Sequence, residues 1–146
     1  LHTAMARFRQ PELLHKTLEL SLSDEIRSQD TVRMVTAVAG NVHGRTIAWE
    51  FVKENWPEFD RRYGRGGFAI MRLVSITGNF ASRAAYRDVD AFFKSHPASS
   101  ATRTIQQSLE RIEHNRDWLE KNREDLAGWL RNGVPSKVAG RSGTRS

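Results

Sequence analysis

Gly40-Asn41-Val42-His43-Gly44-Arg45-Thr46-Ile47-Ala48-Trp49-Glu50-Phe51 sets the architecture of this chain. A glycine stops one helix, a short polar turn follows, and an amphipathic helix starts at once. Ile47, Ala48, Phe51, Val52 and Trp56 recur at three- and four-residue spacing, which gathers them on one helical face. Upstream, Val32, Val35, Val38 and Ala39 mark the inward side of a helix from about Thr31 to Ala39. Asp30 is placed to cap that helix by accepting first-turn N–H groups. A turn this short joins antiparallel helices, and Asn41 or Gly44 is expected to take the left-handed conformation.

The same grammar extends in both directions. Pro11 opens an earlier helix, where its missing N–H costs nothing, and Leu13, Leu14, Leu18, Leu20 and Leu22 follow as an apolar side. Met5 and Phe8 read as the end of a still earlier helix, and Ser23-Asp24-Glu25 as a turn. Downstream, Pro57 interrupts the pattern, and three glycines within Gly64-Arg65-Gly66-Gly67 require a loop. Phe68, Ile70, Met71, Val74 and Ile76 predict a helix ending at Gly78. Ser82 caps a helix over 83–95, with Tyr86, Val89, Phe92 and Phe93 buried, and Ser99 or Ser100 caps the next. Ile105, Leu109, Ile112, Leu119, Leu126 and Leu130, flanked by Trp118 and Trp129, predict one long helix or two with a kink near 115–122. Gly133 and Pro135 end the pattern.

No strand-like alternation interrupts this series, so the expected fold is all-α: about eight helices in antiparallel pairs, stacked as a HEAT- or armadillo-like α-superhelical array. No strict residue-level repeat accompanies it. The division is a helical-repeat domain over 1–133 and a basic, Gly/Ser-containing tail over 134–146. The 146 residues suffice for one core. No run reaches the roughly 18 apolar residues that cross a bilayer, so no membrane partner is expected. The absence of cysteine removes disulfides and thiol chemistry and fits a reducing, cytoplasmic compartment. The N-terminus lacks an initiator Met and opens in mid-pattern, as expected of a piece of a longer chain.

A net charge of +6 invites a nucleic-acid reading, but its location opposes it. Arg131, Lys137, Arg141 and Arg145 are four of the 23 basic residues, which leaves 19 basic against 17 acidic side chains in the rest. A nucleic-acid binder carries a basic stripe with aromatic platforms on its folded body. The expectation is therefore no nucleic-acid partner.

Catalytic patterns are missing as well. No two of His2, His15, His43, His96 and His114 frame a Glu in an HExxH arrangement, and no GxSxG elbow is present. Gly64–Gly67 has no phosphate-loop lysine, and Glu110, Glu113, Glu120 and Glu124 read as an exposed helical face. No catalytic residue, metal ligand or cofactor is assigned to this chain. Arg27, Gln29, Asn41, Arg45 and Arg72 are the candidate peptide contacts. Guanidinium forks on a concave surface would attract a peptide carboxylate, although for Asn41 the turn role is the favoured reading and peptide contact its rival.

An ordered set of short motifs carries a resemblance. It runs from Leu20–Asp30 through Val38-Ala39-Gly40-Asn41, Gly44-Arg45, Ala48-Trp49-Glu50-Phe51 and Asn55-Trp56. It continues with Arg62-Tyr63-Gly64, Gly66-Gly67-Phe68, Arg72-Leu73 and Phe92–Pro97, and ends with Arg103–Gln107, Asn115, Trp118-Leu119 and Trp129-Leu130. Over residues 8–130 the chain resembles the C-terminal helical domain of the zinc aminopeptidases that include puromycin-sensitive aminopeptidase and aminopeptidase N, the cytosolic puromycin-sensitive branch most of all. The resemblance implies a multidomain exopeptidase parent whose separate catalytic domain holds zinc through HExxH and grips the substrate's amino terminus through GxMEN. It further implies that this domain is not catalytic. It would arch over the catalytic domain of the same parent chain, enclose a chamber, and restrict or orient peptide substrates. In some relatives a basic side chain just before the turn Asn helps hold a peptide's carboxyl end, and here that position is Gly40. The rival reading is a free-standing helical-repeat scaffold for a protein partner, and either reading allows self-association of the fragment.

Overall fold

A computed structural model of the chain describes residues 2–133, with side chains from Ala4 onward. The tail assigned to 134–146, with Lys137, Arg141 and Arg145, lies outside the described residues. Eight α-helices account for most of the rest: α1 His2–Met5, α2 Pro11–Ser21, α3 Ser28–Gly40, α4 Arg45–Glu54, α5 Trp56–Tyr63, α6 Phe68–Ser75, α7 Arg83–Ser95 and α8 Thr102–Arg131. Short 3-10 turns, Ile76–Asn79 and Ser99–Ala101, follow α6 and precede α8. Among the described residues there is no strand. Consecutive helices pack as pairs, α2 with α3, α3 with α4 and α7 with α8, while α6 joins the two halves by touching both α3 and α8.

The core is built from the faces the spacing marks. Leu14, Leu18, Val35, Val38, Ala48, Val52, Phe59, Ile70, Leu73, Val74, Val89 and Ile112 are fully buried. Between α4, α5 and α7 the aromatic rings of Trp49, Trp56, Phe92 and Phe93 meet at centroid distances of 5.2–5.7 Å, mostly edge to face. Such contacts add about 0.5–1.5 kcal/mol per pair beyond the area they bury. Pro57 falls at the second position of α5 and starts a new helix, since its missing N–H is harmless there.

Local chemistry overrules several expectations. α3 opens a turn earlier than Asp30 would dictate: Arg27 is its N-cap, and the Arg27 carbonyl accepts the N–H groups of Asp30 and Thr31. Asp30 lies inside the first turn, where its carboxylate favours the helix N-terminus and pairs with Arg33. The anchor at this end is Thr31, whose buried hydroxyl donates to the Ser21 carbonyl at 2.7 Å and so ties α3 to the end of α2. Neither Ser99 nor Ser100 caps α8. Ala101 stands at its N-cap, and the Ser100 hydroxyl reaches the Gly64 carbonyl instead, at 3.2 Å. Ser82 does cap α7, accepting the Ala85 N–H at 3.1 Å. In α6 the buried side is Ile70, Leu73 and Val74, which leaves Phe68 84% exposed, and the α-helix gives way to a 3-10 turn before Gly78. α8 runs unbroken through 115–122.

The central turn also differs from expectation. Asn41 has φ −77° and Gly44 φ −102°, so neither is left-handed. Gly44 is required for closeness: a Cβ there would stand 2.4 Å from the Val38 carbonyl oxygen and 2.8 Å from a Val38 methyl. Gly44→Ala must therefore push α4 off the end of α3. A loss of about 1–3 kcal/mol, the usual cost of overpacking, is expected in urea unfolding of the variant.

Candidate functional site

The turn between α3 and α4 forms one wall of a cleft of about 440 Å³, and the segment linking α1 to α2 forms the other. Asn41 holds the two together. Its side-chain N–H groups donate to the carbonyls of Ala6 and Phe8, both at 2.8 Å, and its Oδ1 accepts the His43 N–H at 2.9 Å. With the amide fully engaged, Asn41 positions the cleft. The other polar residues lining it are Arg7 and Arg9, on either side of Phe8, together with His43. Two arginines among the lining residues add positive charge beside a half-open cavity. Gly40 lines the same cleft, and a Cβ there would meet nothing within 4 Å.

The sequence candidates do not converge. Arg27 and Gln29 are exposed at the start of α3, while Asn41 and Arg45 lie at and beyond its other end. Thirteen residues separate the two sites by about 20 Å at 1.5 Å per residue. Arg72 is exposed on α6. Arg45 is half-buried, and its Nε has no hydrogen-bond partner among the described residues. Arg7 and Arg9 escaped the sequence reading because nothing local marks them. Only the long-range clamp, reaching from residue 41 to residues 6 and 8, brings them to the turn.

Two other polar clusters are structural. Asp88 on α7 accepts the Trp49 indole N–H at 2.7 Å and pairs with Lys53 at 2.8 Å, while Lys53 also meets Glu50 at 2.8 Å. Burial pushes the Asp88 carboxyl up, but the bonds from Lys53 and Trp49 outweigh it and hold Asp88 below its ordinary value. Burial likewise opposes the Lys53 charge, and its two carboxylate partners raise its pKa nonetheless. On α5, hydrogen bonds from Arg61 and Arg62 bring Glu58 from 4.5 down to about 2. A carboxylate whose folded pKa is depressed contributes stability that is present above its unfolded value and is lost as pH falls through the folded one. Stability should therefore decline between about pH 4.5 and 2, and Glu58→Gln should flatten that decline in acid titration followed by circular dichroism.

Among the described residues no three of His, Asp or Glu are gathered to hold a metal ion, and no helix is long and apolar enough to cross a membrane. Fold and cleft together define an all-helical domain whose helices pack in pairs around one core. The family model described as ERAP1-like C-terminal domain matches residues 1–114, and the chain belongs to that family. Among its curated relatives are endoplasmic reticulum aminopeptidase 2 of Bos taurus, 35% identical over 130 residues, and the aminopeptidases N of Bos taurus and Mus musculus, 30% and 31% identical over 136 and 135. These alignments cover 87–90% of this chain but only 14% of each relative. The chain thus spans about one-seventh of their length and corresponds to a C-terminal domain of aminopeptidases.

Proposed function

We propose that this chain is part of the wall of a substrate chamber in a zinc aminopeptidase, and that its Asn41-positioned cleft receives the carboxyl end of a peptide. Family membership supports the first half of this reading. The observation that carries the second is the placement of Arg7, Arg9 and His43 around one cavity at the α3–α4 turn. Where a basic residue at position 40 would serve, Gly40 leaves the space open and the two arginines supply the charge from across the cleft. In this reading the helix pairs belong to a curved array that arches over the catalytic domain of the same parent chain. The wall admits short or unfolded peptides and holds them so that the zinc centre, in the part of the parent that this chain does not span, meets the amino-terminal bond. A cytoplasmic setting rests on the cysteine-free sequence.

A labelled peptide with a free C-terminal carboxylate tests the cleft against the same peptide carrying a C-terminal amide. Binding to this chain, read by fluorescence anisotropy, should weaken roughly ten- to a hundredfold for the amide, since one charge-assisted contact is worth roughly 1.5–3 kcal/mol. Arg7→Ala combined with Arg9→Ala should abolish the distinction. Equal affinity for both peptides would remove the assignment. With zinc and an aminoacyl chromogenic substrate, the chain alone should give no turnover above a protein-free blank.

A further inference from the structure

The second half of α8 carries an apolar stripe that the other described residues leave open. Trp118, Leu119, Leu126, Trp129 and Leu130 are 43–65% exposed. The stripe continues the side that the first half of the helix buries. Ile105, Ile112, Leu119 and Leu126 step by seven residues, as do Ser108, Asn115, Asn122 and Trp129. At Leu119, Leu126 and Trp129 this spacing lines up an apolar helix–helix seam, while Ser108, Asn115 and Asn122 make the second row polar up to Trp129. Up to Asn115 the body occupies it, with Ser108 and Ile112 buried and the Asn115 amide bound to the carbonyls of Gly78 and Phe80. Beyond Asn115 the seam has no neighbour among the described residues.

We propose that a second copy of this chain covers the stripe, with the two α8 ends pairing antiparallel about a two-fold axis near Glu124. The sequence is self-complementary about that point: Trp118 and Leu130, Leu119 and Trp129, and Asn122 and Leu126 stand at equal distances on either side. Antiparallel pairing therefore sets each Trp against a Leu of the other copy, as an isologous interface requires. Sterics select the same direction. Each body covers the seam of its own α8 before residue 116, so a parallel pair would force the two bodies into one space. An antiparallel pair places them at opposite ends of a shared segment about 24 Å long at 1.5 Å per residue. With these five side chains about half exposed in each copy, covering all ten removes on the order of 1,000 Å², where specific interfaces begin. Charge does not oppose it. Between 116 and 131, Arg116, Lys121, Arg123 and Arg131 balance Asp117, Glu120, Glu124 and Asp125, and neither edge presents a run of one sign.

Sedimentation velocity of the 146-residue chain over a micromolar concentration series tests this directly. A monomer–dimer equilibrium is expected, with Trp emission shifting to the blue as dimer forms. Leu126→Glu changes an exposed side chain and should return the chain to monomer with an unchanged far-ultraviolet spectrum. Asn122→Leu should tighten the dimer about tenfold or more, because each copy gains one apolar contact. A chain that stays monomeric throughout the series overturns the proposal, including the case in which the stripe is covered only by the remainder of a longer parent. A dimer indifferent to both substitutions overturns it too.

Discussion

Trp49→Ala should cost the domain about 3–5 kcal/mol, which is the range for removing a large aromatic from a core. The indole is 2% exposed and packs against Phe92 at 5.2 Å and Phe93 at 5.7 Å, so truncation opens a hole where α4 meets α7. It also strips Asp88 of one of its donors, the indole N–H at 2.7 Å. The remaining Lys53–Asp88 pair is partly exposed and worth at most about 1 kcal/mol, too little to hold the two helices in register. Trp49→Phe separates the two contributions. It keeps most of the ring and loses only the N–H, so a smaller loss of about 1–2 kcal/mol is expected. Urea unfolding of the two variants checks the order. Were the phenylalanine variant as unstable as the alanine one, the hydrogen bond to Asp88 would matter more than the packing.

The sequence made the helices legible wherever an apolar face was wide and regular. α4 and α7 are placed by Ile47–Val52 and Tyr86–Phe93, whereas Trp56, read as the same face, opens α5; Ser82 is readable as a cap because its bond is made within one turn. Asp30 misled because capping geometry depends on where the chain enters the helix. That entry point is set by the Thr31–Ser21 bond between two helices, which no local pattern records. A left-handed residue at Asn41 or Gly44 is the natural reading of this turn, yet neither adopts it, and Gly44 is needed for close approach instead. Sequence cannot distinguish a left-handed turn from a backbone that comes within contact of Val38. The candidate contacts are scattered for the same reason: Arg27 and Arg72 are exposed on separate helices, and the cleft forms elsewhere because residues 6–9 fold back onto residue 41. Leu119, Leu126 and Leu130 show the converse. Their spacing announces a buried seam, while burial depends on a neighbour that the described residues do not contain.

Asn41→Asp should be the most informative single change at the cleft. The carboxylate is nearly isosteric, yet it can only accept, so it loses both donations to Ala6 and Phe8 and turns an anionic oxygen toward their carbonyls. Two lost hydrogen bonds and two unpaired carbonyl groups make a loss of about 2–4 kcal/mol the expected result. The structure contains a second clamp of the same design, with Asn115 donating to Gly78 at 2.9 Å and to Phe80 at 3.0 Å. In both, one amide spans two carbonyls two residues apart and fixes a link between helices, and Asn115→Asp should be destabilising to a similar degree. The two variants should part company on binding. Freed from Asn41, the segment carrying Arg7 and Arg9 leaves the cleft, so Asn41→Asp should lose the preference for a free peptide carboxylate at temperatures where the fold persists. Asn115→Asp has no cleft to dismantle and should keep that preference. Matching stability losses with divergent binding would attribute carboxylate recognition to the residue-41 cleft, whereas a parallel loss in both would mean that the preference merely follows global stability.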